Sequence, residues 1–362
     1  MASPAAPVRL VVLYGGRSAE HDVSCISAFN VVGALDRSRY DLQMIGITTD
    51  GAWVDTTAPA LAAAGAAATK ALPSPDDVLR DRPASAASLE AVTAEPSVVV
   101  LPLVHGPMGE DGTLQGLLEL AGLPYCGPGV AGSATAMDKG LAKALLTAAG
   151  LPQARYLYRS ETQFSATLPG EVESELGWPV FVKPANMGSS IGITKVKDPG
   201  GLDAALVQAV RYDTAVVIEE AVSDARELEM GVLGWPDLRT SVPGEIKPSH
   251  DFYDFEDKYL EGTAALEIPA VLPAGVAEEM SRLAIAACQA LRVDSMARAD
   301  FFYSESRGLL INEVNTIPGF TPISMYPMMW AATGIPYADL IDRLVDQAVR
   351  RADRRRRFET GH

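Results

Sequence analysis

Short apolar runs separated by polar or alanine-rich stretches make up the first third of the chain. The runs at 9–14, 41–48 and 97–104 have the length and continuity of buried strands. A helix capped by Ser18 is predicted after the first run, and another helix is predicted near 60–70. Strands that alternate with helices form a parallel sheet, and ligands gather at the carboxyl ends of its strands. The pattern therefore predicts an N-terminal α/β domain with a site at that edge.

The pattern changes in the middle of the chain. After a helix predicted over 131–150, the apolar runs favour a mostly antiparallel sheet, with a helix near 200–211. Its strands are predicted at 179–182, 192–196, 215–219 and 228–234. The last third predicts a long helix over 274–291, strands over 296–303 and 309–314, and a final helix from Tyr337. The predicted fold class is α/β, in a multi-domain α+β arrangement.

Composition and charge narrow the function classes. The chain has 362 residues, 48% of them hydrophobic, which is enough for two or three packed units. A formal net charge of -16 argues against nucleic acid or an anionic membrane surface as the main partner, because both attract basic surfaces. The arginines near the C-terminus are interpreted as the solvated end of a helix, where cations are favoured, rather than as a nucleic-acid site.

The cysteines and the apolar runs bear on the compartment. Cys25, Cys126 and Cys288 are too widely spaced for a disulfide framework or a CxxC zinc motif, so we expect free, buried thiols. The first residues lack the basic and apolar regions of a signal peptide, and no apolar run approaches the roughly 18 residues of a membrane span. These features predict a cytoplasmic protein.

A glycine- and serine-rich segment at 188–192 matches GxSxG, the nucleophile elbow of serine hydrolases. Such an elbow joins a strand to a helix, whereas strands are predicted on both sides of this segment. A loop of this composition between strands is suited to covering phosphates with backbone N–H groups and hydroxyls, and Lys183 adds a positive charge beside it. Phosphate binding is the favoured interpretation and the hydrolase is the alternative. No GxxxxGK[ST] motif occurs in the chain.

Acidic residues cluster on the last two predicted strands. Alternation along a strand places Arg298 and Asp300 on one face, and likewise Glu313 and Asn315. Carboxylate and amide oxygens without histidine or cysteine suit Mg²⁺, which takes few carboxylates together with phosphate oxygens and water. The turn at 315–319 ends the second strand and presents backbone N–H groups beside this set. A surface salt-bridge cluster is the alternative interpretation.

Five segments of the chain together resemble the D-alanine–D-alanine ligases of the ATP-grasp superfamily, and the similarity extends from Val11 to about Val349. They read GGRSAEHDVS at 15–24, HGPMGEDGTLQG at 105–116, KPANMGSS at 183–190, FYDFEDKY at 252–259 and NEVNTIPGFTPIS at 312–324. The resemblance implies an ATP-grasp fold with an N-terminal Rossmann-like parallel-sheet domain, a central small antiparallel-sheet domain and a C-terminal α+β domain. The expected boundaries are 1–135, 136–244 and 245–349, followed by a basic tail at 350–362.

The resemblance also implies that the chain joins two D-alanines through an acyl phosphate, at the expense of ATP, for peptidoglycan precursor synthesis. Phosphoryl transfer depends on positioning and on neutralising charge. ATP is the implied co-substrate, and two Mg²⁺ or Mn²⁺ ions are the implied cofactor. The residues that match metal ligands are Asp300, Glu313 and Asn315. Those that match nucleotide-binding positions are Lys139, Lys183, Ser190, Glu219, Glu220, Val222 and Glu227.

Further positions match the groups that act on the amino acids. Glu20 corresponds to the carboxylate that holds the first D-alanine ammonium, and the hydrogen-bond partners of that carboxylate in the family correspond to Ser189 and Tyr259. Arg298 and the Gly319 N–H correspond to the groups that stabilise the tetrahedral oxyanion. The residues that match substrate-binding positions are His105, near the first substrate, and Lys258, Ser324 and Met325, around the carboxylate of the second.

Two other functions stay open beside the joining of two D-alanines. A D-alanine–D-lactate ligase shares the machinery but takes a hydroxy acid, and such relatives lack the tyrosine that Tyr259 matches. A catalytically inactive nucleotide-binding module is the second, although every matched reactive position keeps its residue type. The expected partners are ATP and D-alanine, without nucleic acid or membrane, and the chain is expected to form a homodimer.

Overall fold

The computed structural model describes residues 7–66, 69–83, 98–247, 265–321 and 323–358. The strands are β1 Val8–Gly15, β2 Tyr40–Ile47, β3 Trp53–Asp55, β4 Val98–Pro102, β5 Tyr156–Ser160, β6 Val180–Pro184, β7 Thr194–Val196, β8 Ala215–Glu220, β9 Arg226–Gly234, β10 Arg239–Lys247, β11 Ala265–Glu267, β12 Ser295–Ser304 and β13 Gly308–Asn315. The α-helices are α1 His21–Ala34, α2 Thr57–Ala64, α3 Pro75–Asp81, α4 Thr113–Leu120, α5 Val130–Met137, α6 Lys139–Ala148, α7 Leu168–Glu175, α8 Leu202–Ala209, α9 Val276–Ala290, α10 Met325–Ala332 and α11 Tyr337–Arg355. Mixed α/β architecture with several sheets is thereby confirmed.

The first sheet has the strand order β3-β2-β1-β4 and is buried on both faces. β1 pairs in parallel with β2 and with β4. Leu10 and Val12 pack into the core that contains α1 and α11, while Val11 and Leu13 pack into the core that contains α4. Parallel strands covered on both faces appear as continuous apolar runs, which is why these strands were predictable. Their carboxyl ends bring Gly15 and the segment after β4 to one edge.

The second sheet is antiparallel, with the order β5-β8-β6-β7. Leu168 and Val172 of α7 and Leu202 and Leu206 of α8 pack into its core. β6 and β7 pair with each other in antiparallel register, from Val180 opposite Val196 onward. The glycine- and serine-rich segment therefore connects two strands, as predicted.

The third sheet, ordered β11-β10-β9-β12-β13, carries the predicted metal ligands. β12 lies between β9 and β13 and is antiparallel to both. The prediction that 228–234 belongs to the same sheet as 179–219 is wrong, because β9 pairs with β10 and β12 instead. Alternation of side chains shows which face of a strand is buried, but it does not show which strand lies beside it.

The helix predicted over 131–150 is two helices, α5 and α6, which meet at Asp138. The Asp138 carboxylate accepts a hydrogen bond from the backbone N–H of Leu141 and so caps α6. Because an internal aspartate can start a new helix without glycine or proline, the apolar pattern alone did not show the break. The helix predicted near 60–70 lies earlier in the chain, at α2.

Ser18 does not cap α1, which begins at His21. Its hydroxyl instead donates to the backbone carbonyl of His105 at 2.7 Å and accepts the Glu20 N–H at 3.2 Å. Ser18 thus connects the segment after β1 to the segment after β4, next to Glu20, the carboxylate that is predicted to hold the first substrate.

The C-terminal helix α11 packs against the first sheet rather than extending wholly into solvent. Arg351 is 4% exposed, and its guanidinium donates to the carbonyls of Tyr125 and Gly127 and to the Asp294 carboxylate. The interpretation of the arginine run as a solvated helix end therefore fails for Arg351. Cys25, Cys126 and Cys288 are free and buried, as expected. Across the described parts of the chain, no helix is both long and apolar enough to cross a membrane.

Candidate active site

Strand register collects the acidic residues of the third sheet on one face. Asp300 of β12 lies opposite Glu313 of β13 on one side and opposite Glu229 of β9 on the other. Arg298, two residues before Asp300, lies opposite Asn315. Residues two apart on a strand share a face, so the sheet itself places these five side chains together.

Arg298 binds two of the carboxylates. Its Nε and Nη2 donate to the two oxygens of Asp300, both at 2.8 Å, and its Nε lies 3.0 Å from Glu229 Oε2. Burial by itself would lower the pKa of Arg298, but Asp300 and Glu229 more than offset that effect and hold it well above its ordinary value. The side chains of Arg298 and Asp300 are only 19% and 13% exposed. This is therefore not a surface salt-bridge cluster.

Asp300, Glu313 and Asn315 offer the oxygen donors that Mg²⁺ prefers. The Asp300 carboxylate accepts from Asn315 Nδ2 at 2.8 Å in addition to Arg298. Among the residues that the structure describes, no group of three or more His, Cys, Asp or Glu is arranged to hold a metal. The set therefore fits an ion that takes its other ligands from the Asn315 amide, phosphate and water.

A cavity of about 330 Å³ lies between the second and third sheets. It is lined by every residue predicted to bind the nucleotide, together with two of the predicted metal ligands. Those residues are Lys139, Lys183, Ser190, Glu219, Glu220, Val222, Glu227, Asp300 and Glu313. A cleft of this size with lysines and oxygen donors at one end suits a nucleoside triphosphate.

Glu219 of this cavity is paired with two lysines. Its Oε2 accepts from Lys183 Nζ at 2.8 Å and its Oε1 from Lys143 Nζ at 3.1 Å. Burial would raise the pKa of Glu219, but the two lysines overcome it and lower the pKa below its ordinary value. Burial also lowers the pKa of Lys143. For Lys183 burial acts in the same direction, yet Glu219 raises its pKa overall.

Lys139 lines the same cavity and is the first residue of α6. Its Nζ donates to the Met187 carbonyl oxygen and lies 3.9 Å from Glu313 Oε2. Burial lowers its pKa, and Glu313 partly opposes that shift. An incoming phosphate would add negative charge beside a lysine that is already desolvated.

The loop between β6 and β7 adopts a conformation that side chains rarely take. Ser189 and Ser190 have φ of 49° and 59°, in the left-handed region. This strained turn brings backbone and hydroxyls over the cavity, but it leads into β7 rather than into a helix. The geometry of a nucleophile elbow is therefore absent at this loop, and the serine hydrolase alternative loses its basis.

Glu20 lies where three distant segments meet. Its Oε1 accepts a hydrogen bond from the Ser189 hydroxyl. A Cβ atom at Gly106 would lie 2.9 Å from Glu20 Oε2, and one at Gly188 would lie 3.2 Å from the same atom. Gly106, whose φ is 74°, therefore needs glycine, and a Cβ atom at Gly188 would crowd the carboxylate. Tyr259, the other predicted partner of Glu20, lies outside the described residues, as does Lys258.

A second, smaller cavity of about 90 Å³ lies beside Glu20. It is lined by the remaining residues that were predicted to act on the amino acids and that the structure describes. Those residues are Glu20, His105, Ser189, Arg298, Gly319, Ser324 and Met325. The Ser324 hydroxyl accepts from the Thr321 N–H at 2.9 Å, and a Cβ at Gly319 would lie 2.7 Å from Ser324 Oγ. Gly319, Thr321 and Ser324 are therefore closely packed.

Sequence reasoning did not single out three charged groups, of which Lys143 and Glu229 are buried and Glu110 is half-buried. Lys143 is one helical turn after Lys139, Glu229 is two residues after Glu227, and Glu110 lies inside the segment 105–116. Spacing by four on a helix and by two on a strand signals a shared face, and it could have identified the first two. Glu110 lines the second cavity, and burial together with Glu20 raises its pKa to about 8.

Models of two protein domains match this chain. The D-ala D-ala ligase N-terminus matches residues 9–128, and the D-ala D-ala ligase C-terminus matches residues 145–346. The chain belongs to the D-alanine–D-alanine ligase family.

Named relatives match nearly the full length of this ligase-family chain. A D-alanine–D-alanine ligase of Nocardia farcinica is 47% identical, over 95% of this chain and 98% of its own. One of Streptomyces coelicolor is 44% identical, over 95% and 93%.

Solved structures agree with this assignment. The D-alanine-D-alanine ligase of Coxiella burnetii is 34% identical with a TM-score of 0.84, over 97% of both chains. The VanG D-Ala:D-Ser ligase of Enterococcus faecalis is 32% identical with a TM-score of 0.79, over 94% of this chain and 99% of that one. These matches confirm the predicted ATP-grasp fold.

Proposed function

We propose that this chain joins two D-alanines to D-alanyl-D-alanine, with ATP as the energy source, in the residue roles given below. The observation that carries the proposal is the common wall of the two cavities. Gly188, Ser189, Glu229, Ile246 and Glu313 line both of them. A terminal phosphate in the larger cavity would therefore meet a carboxylate held in the smaller one, as ligation through an acyl phosphate requires.

In the first step, the carboxylate of the first D-alanine attacks the γ-phosphorus of ATP, and ADP leaves. Lys139 and Lys183 neutralise phosphate charge, while the 188–190 loop covers the phosphates with N–H groups and hydroxyls. Asp300, Glu313 and Asn315 would hold a divalent ion, which supplies positive charge to the transferred phosphoryl group. Glu20 holds the ammonium of the first D-alanine and so orients its carboxylate toward the shared wall.

In the second step, the amine of the second D-alanine attacks the acyl-phosphate carbonyl and phosphate leaves. Negative charge develops on the carbonyl oxygen, and the Arg298 guanidinium and the Gly319 N–H are the donors assigned to it. Ser324 and Met325, with Lys258, form the pocket for the second substrate's carboxylate. The second D-alanine attacks as the free amine, after its ammonium has released a proton to water, and the departing phosphate takes up the proton that the nitrogen loses as the amide forms.

The adenine end of the nucleotide is assigned to the residues at the end of β8 and to Glu227. Glu219 to Val222 contact the base, and Glu227 binds the ribose. Because Lys143 and Lys183 keep Glu219 ionised, one of its oxygens can accept a hydrogen bond from an exocyclic amine of the base. Glu220 turns its side chain to Arg155 and Arg307, so its own contribution to the nucleotide comes from the backbone.

The test is phosphate release by the purified protein with ATP and Mg²⁺, in parallel reactions with D-alanine, D-lactate, D-serine and L-alanine. Product mass identifies the bond that forms. We expect dipeptide from D-alanine, and no turnover with L-alanine. Turnover of ATP that needs no D-amino acid, or a product that is mainly depsipeptide at neutral pH, would overturn the proposal. The curated relatives above, which are D-alanine–D-alanine ligases, do not favour the depsipeptide alternative.

The expected assembly and location complete the proposal. We propose a cytoplasmic homodimer that requires Mg²⁺ or Mn²⁺, in two ions per site, and that contributes to peptidoglycan precursor synthesis. Light scattering of the purified protein measures the assembly. Activity after chelation and after return of each ion separately measures the metal requirement.

A further inference from the structure

The turn at 315–319 is held by side chains from a segment some two hundred residues earlier in the chain. The N–H of Ile317 donates to Glu110 Oε1 at 3.1 Å, and its carbonyl oxygen lies 3.1 Å from His105 Nδ1. The Ile317 side chain is buried in the core beneath the turn. Both backbone polar groups and the side chain of Ile317 are therefore fixed.

The chemistry of the acceptor decides the form of His105. A carbonyl oxygen only accepts, so His105 Nδ1 must carry a hydrogen to bond with Ile317. Burial lowers the pKa of His105 and favours the neutral ring. In the neutral ring Nε2 is then an acceptor, and it faces the Ser27 hydroxyl at 3.4 Å.

Glu110 bridges two segments. Its Oε2 accepts the N–H of Gly106 at 2.7 Å, while its Oε1 accepts the N–H of Ile317. The first bond fixes Glu110 within its own loop, which also carries His105. The second bond joins that loop to the turn after β13. Glu110 is thus the carboxylate that ties the two segments together.

We propose that Glu110 is a positioning residue for the oxyanion site. Together with His105 it holds the backbone of Ile317 in place by hydrogen bonds and thereby sets the direction of the Gly319 N–H. Pro318 lies between Ile317 and Gly319. Because its ring fixes its φ, few backbone rotations separate Ile317 from the Gly319 N–H. The inference rests on the proposed role of Gly319 in ligation. It assigns Glu110 no contact with the reacting atoms.

Glu110→Gln is the direct test, and Asp111→Asn is its matched control. Asp111 is the neighbouring carboxylate, and it accepts the N–H groups of Met108 at 2.8 Å and Thr113 at 2.9 Å, both within its own loop. The Gln side chain keeps the size of Glu110 but sets an amide N–H against one of the two backbone donors. We expect kcat to fall about ten- to a hundredfold, the effect of one buried donor left unpaired. The KM for ATP should change less than about twofold, and Asp111→Asn should keep kcat within about threefold.

A second measurement separates positioning from a general loss of structure. A dipeptide in which a tetrahedral phosphinate replaces the amide carbonyl resembles the transition state, whereas D-alanine does not. In Glu110→Gln we expect the affinity for this analogue to fall in parallel with kcat, while the affinity for D-alanine stays within about twofold. If the Gln variant fails to fold, Glu110→Asp retains the carboxyl group with a shorter reach and should show a smaller loss of both quantities.

Equal kcat values in Glu110→Gln and Asp111→Asn would overturn the inference. So would a loss of kcat without loss of affinity for the analogue. These outcomes are distinct from failure of the proposed function, because that failure would appear in the wild-type protein as absence of dipeptide formation.

Discussion

The two cavities share a wall but are built in different ways. In the nucleotide cavity the charged side chains stand on regular elements, Glu219 on β8 and Lys183 on β6, and Glu219 is paired both with Lys183 and with Lys143 of α6. In the amino-acid cavity Arg298 stands on β12, whereas Glu20, His105, Gly319 and Ser324 come from loops and element ends, and two carboxylates, Glu20 and Glu110, lie near each other. Hydrogen bonds between loops hold the groups that are not on strands.

The difference teaches where each cavity is vulnerable. A set fixed by strand pairing keeps its geometry when one side chain changes, so substitutions there should mainly alter ligand affinity. A set held by a few bonds between loops loses alignment when one bond is lost, so substitutions there should mainly alter the rate of the chemical step. Substitutions of residues that line both cavities should alter both the ligand affinity and the rate of the chemical step.

The largest effect is expected from Arg298→Lys. Lysine keeps the positive charge but cannot donate to Asp300 through two fixed nitrogens while also facing the oxyanion. We expect kcat to fall about a thousandfold, at the upper end of the loss for an oxyanion donor. The KM for ATP should change little. Steady-state kinetics with each substrate varied in turn measures both, and a large rise in that KM with unchanged kcat would contradict the division between the cavities.

Glu313→Gln probes the shared wall. The substitution keeps the shape of the side chain and removes one charge from a proposed metal ligand, so turnover should fall by at least about a hundredfold. The concentration of Mg²⁺ needed for half-maximal activity should rise as well. Titration with Mg²⁺ at saturating ATP and D-alanine gives both values. Near-normal activity at ordinary Mg²⁺ would instead favour a purely structural ion pair between Glu313 and Lys139.

Lys143→Met tests the nucleotide cavity, where Glu219 is held between two lysines. Without Lys143, Glu219 loses one of its two donors and some of the charge that lowers its pKa, so it should accept less well from the base. We expect the KM for ATP to rise about tenfold, or about 1.4 kcal/mol, with kcat within about threefold. A double-mutant cycle with Glu219→Gln checks whether Lys143 acts through Glu219, because in that case the effects of the two changes should be strongly non-additive. Additive effects would show that Lys143 acts elsewhere.

The smallest effect is a change of stability with pH, and it comes from Glu110. Its ordinary pKa of 4.5 is raised to about 8 by burial and by Glu20. Between these values the folded protein holds a proton that the unfolded chain has released, so stability falls as the pH rises through this window. Glu110→Gln removes that dependence.

Melting temperatures from about pH 5 to about pH 8 measure this effect. We expect the Tm of the wild type to fall relative to that of Glu110→Gln by a few degrees, since about 1 kcal/mol corresponds to roughly 2–4 °C in a large domain. Asp111→Asn should follow the wild type. Parallel curves for the wild type and Glu110→Gln would show that the pKa of Glu110 is not raised in the folded protein.

Much of this molecule could be predicted from the amino-acid sequence. The continuous apolar runs of β1 and β4 determined a doubly covered parallel sheet, because only strands buried on both faces have that composition. The alternation of Arg298 with Asp300 and of Glu313 with Asn315 determined which side chains share a face, because successive residues of a strand point in opposite directions. Five short segments were sufficient to indicate the family.

Only the tertiary structure decided which of these elements meet. The sequence did not show that β9 leaves the second sheet for the third, since strand pairing depends on contacts between residues far apart in the chain. Nor did it show that Glu110 and His105 both bond to the backbone of Ile317. A hydrogen bond across more than two hundred residues leaves no local pattern in the sequence. Its geometry arises only when the first sheet and the turn after β13 pack together, because backbone groups that become buried there must find a hydrogen-bond partner.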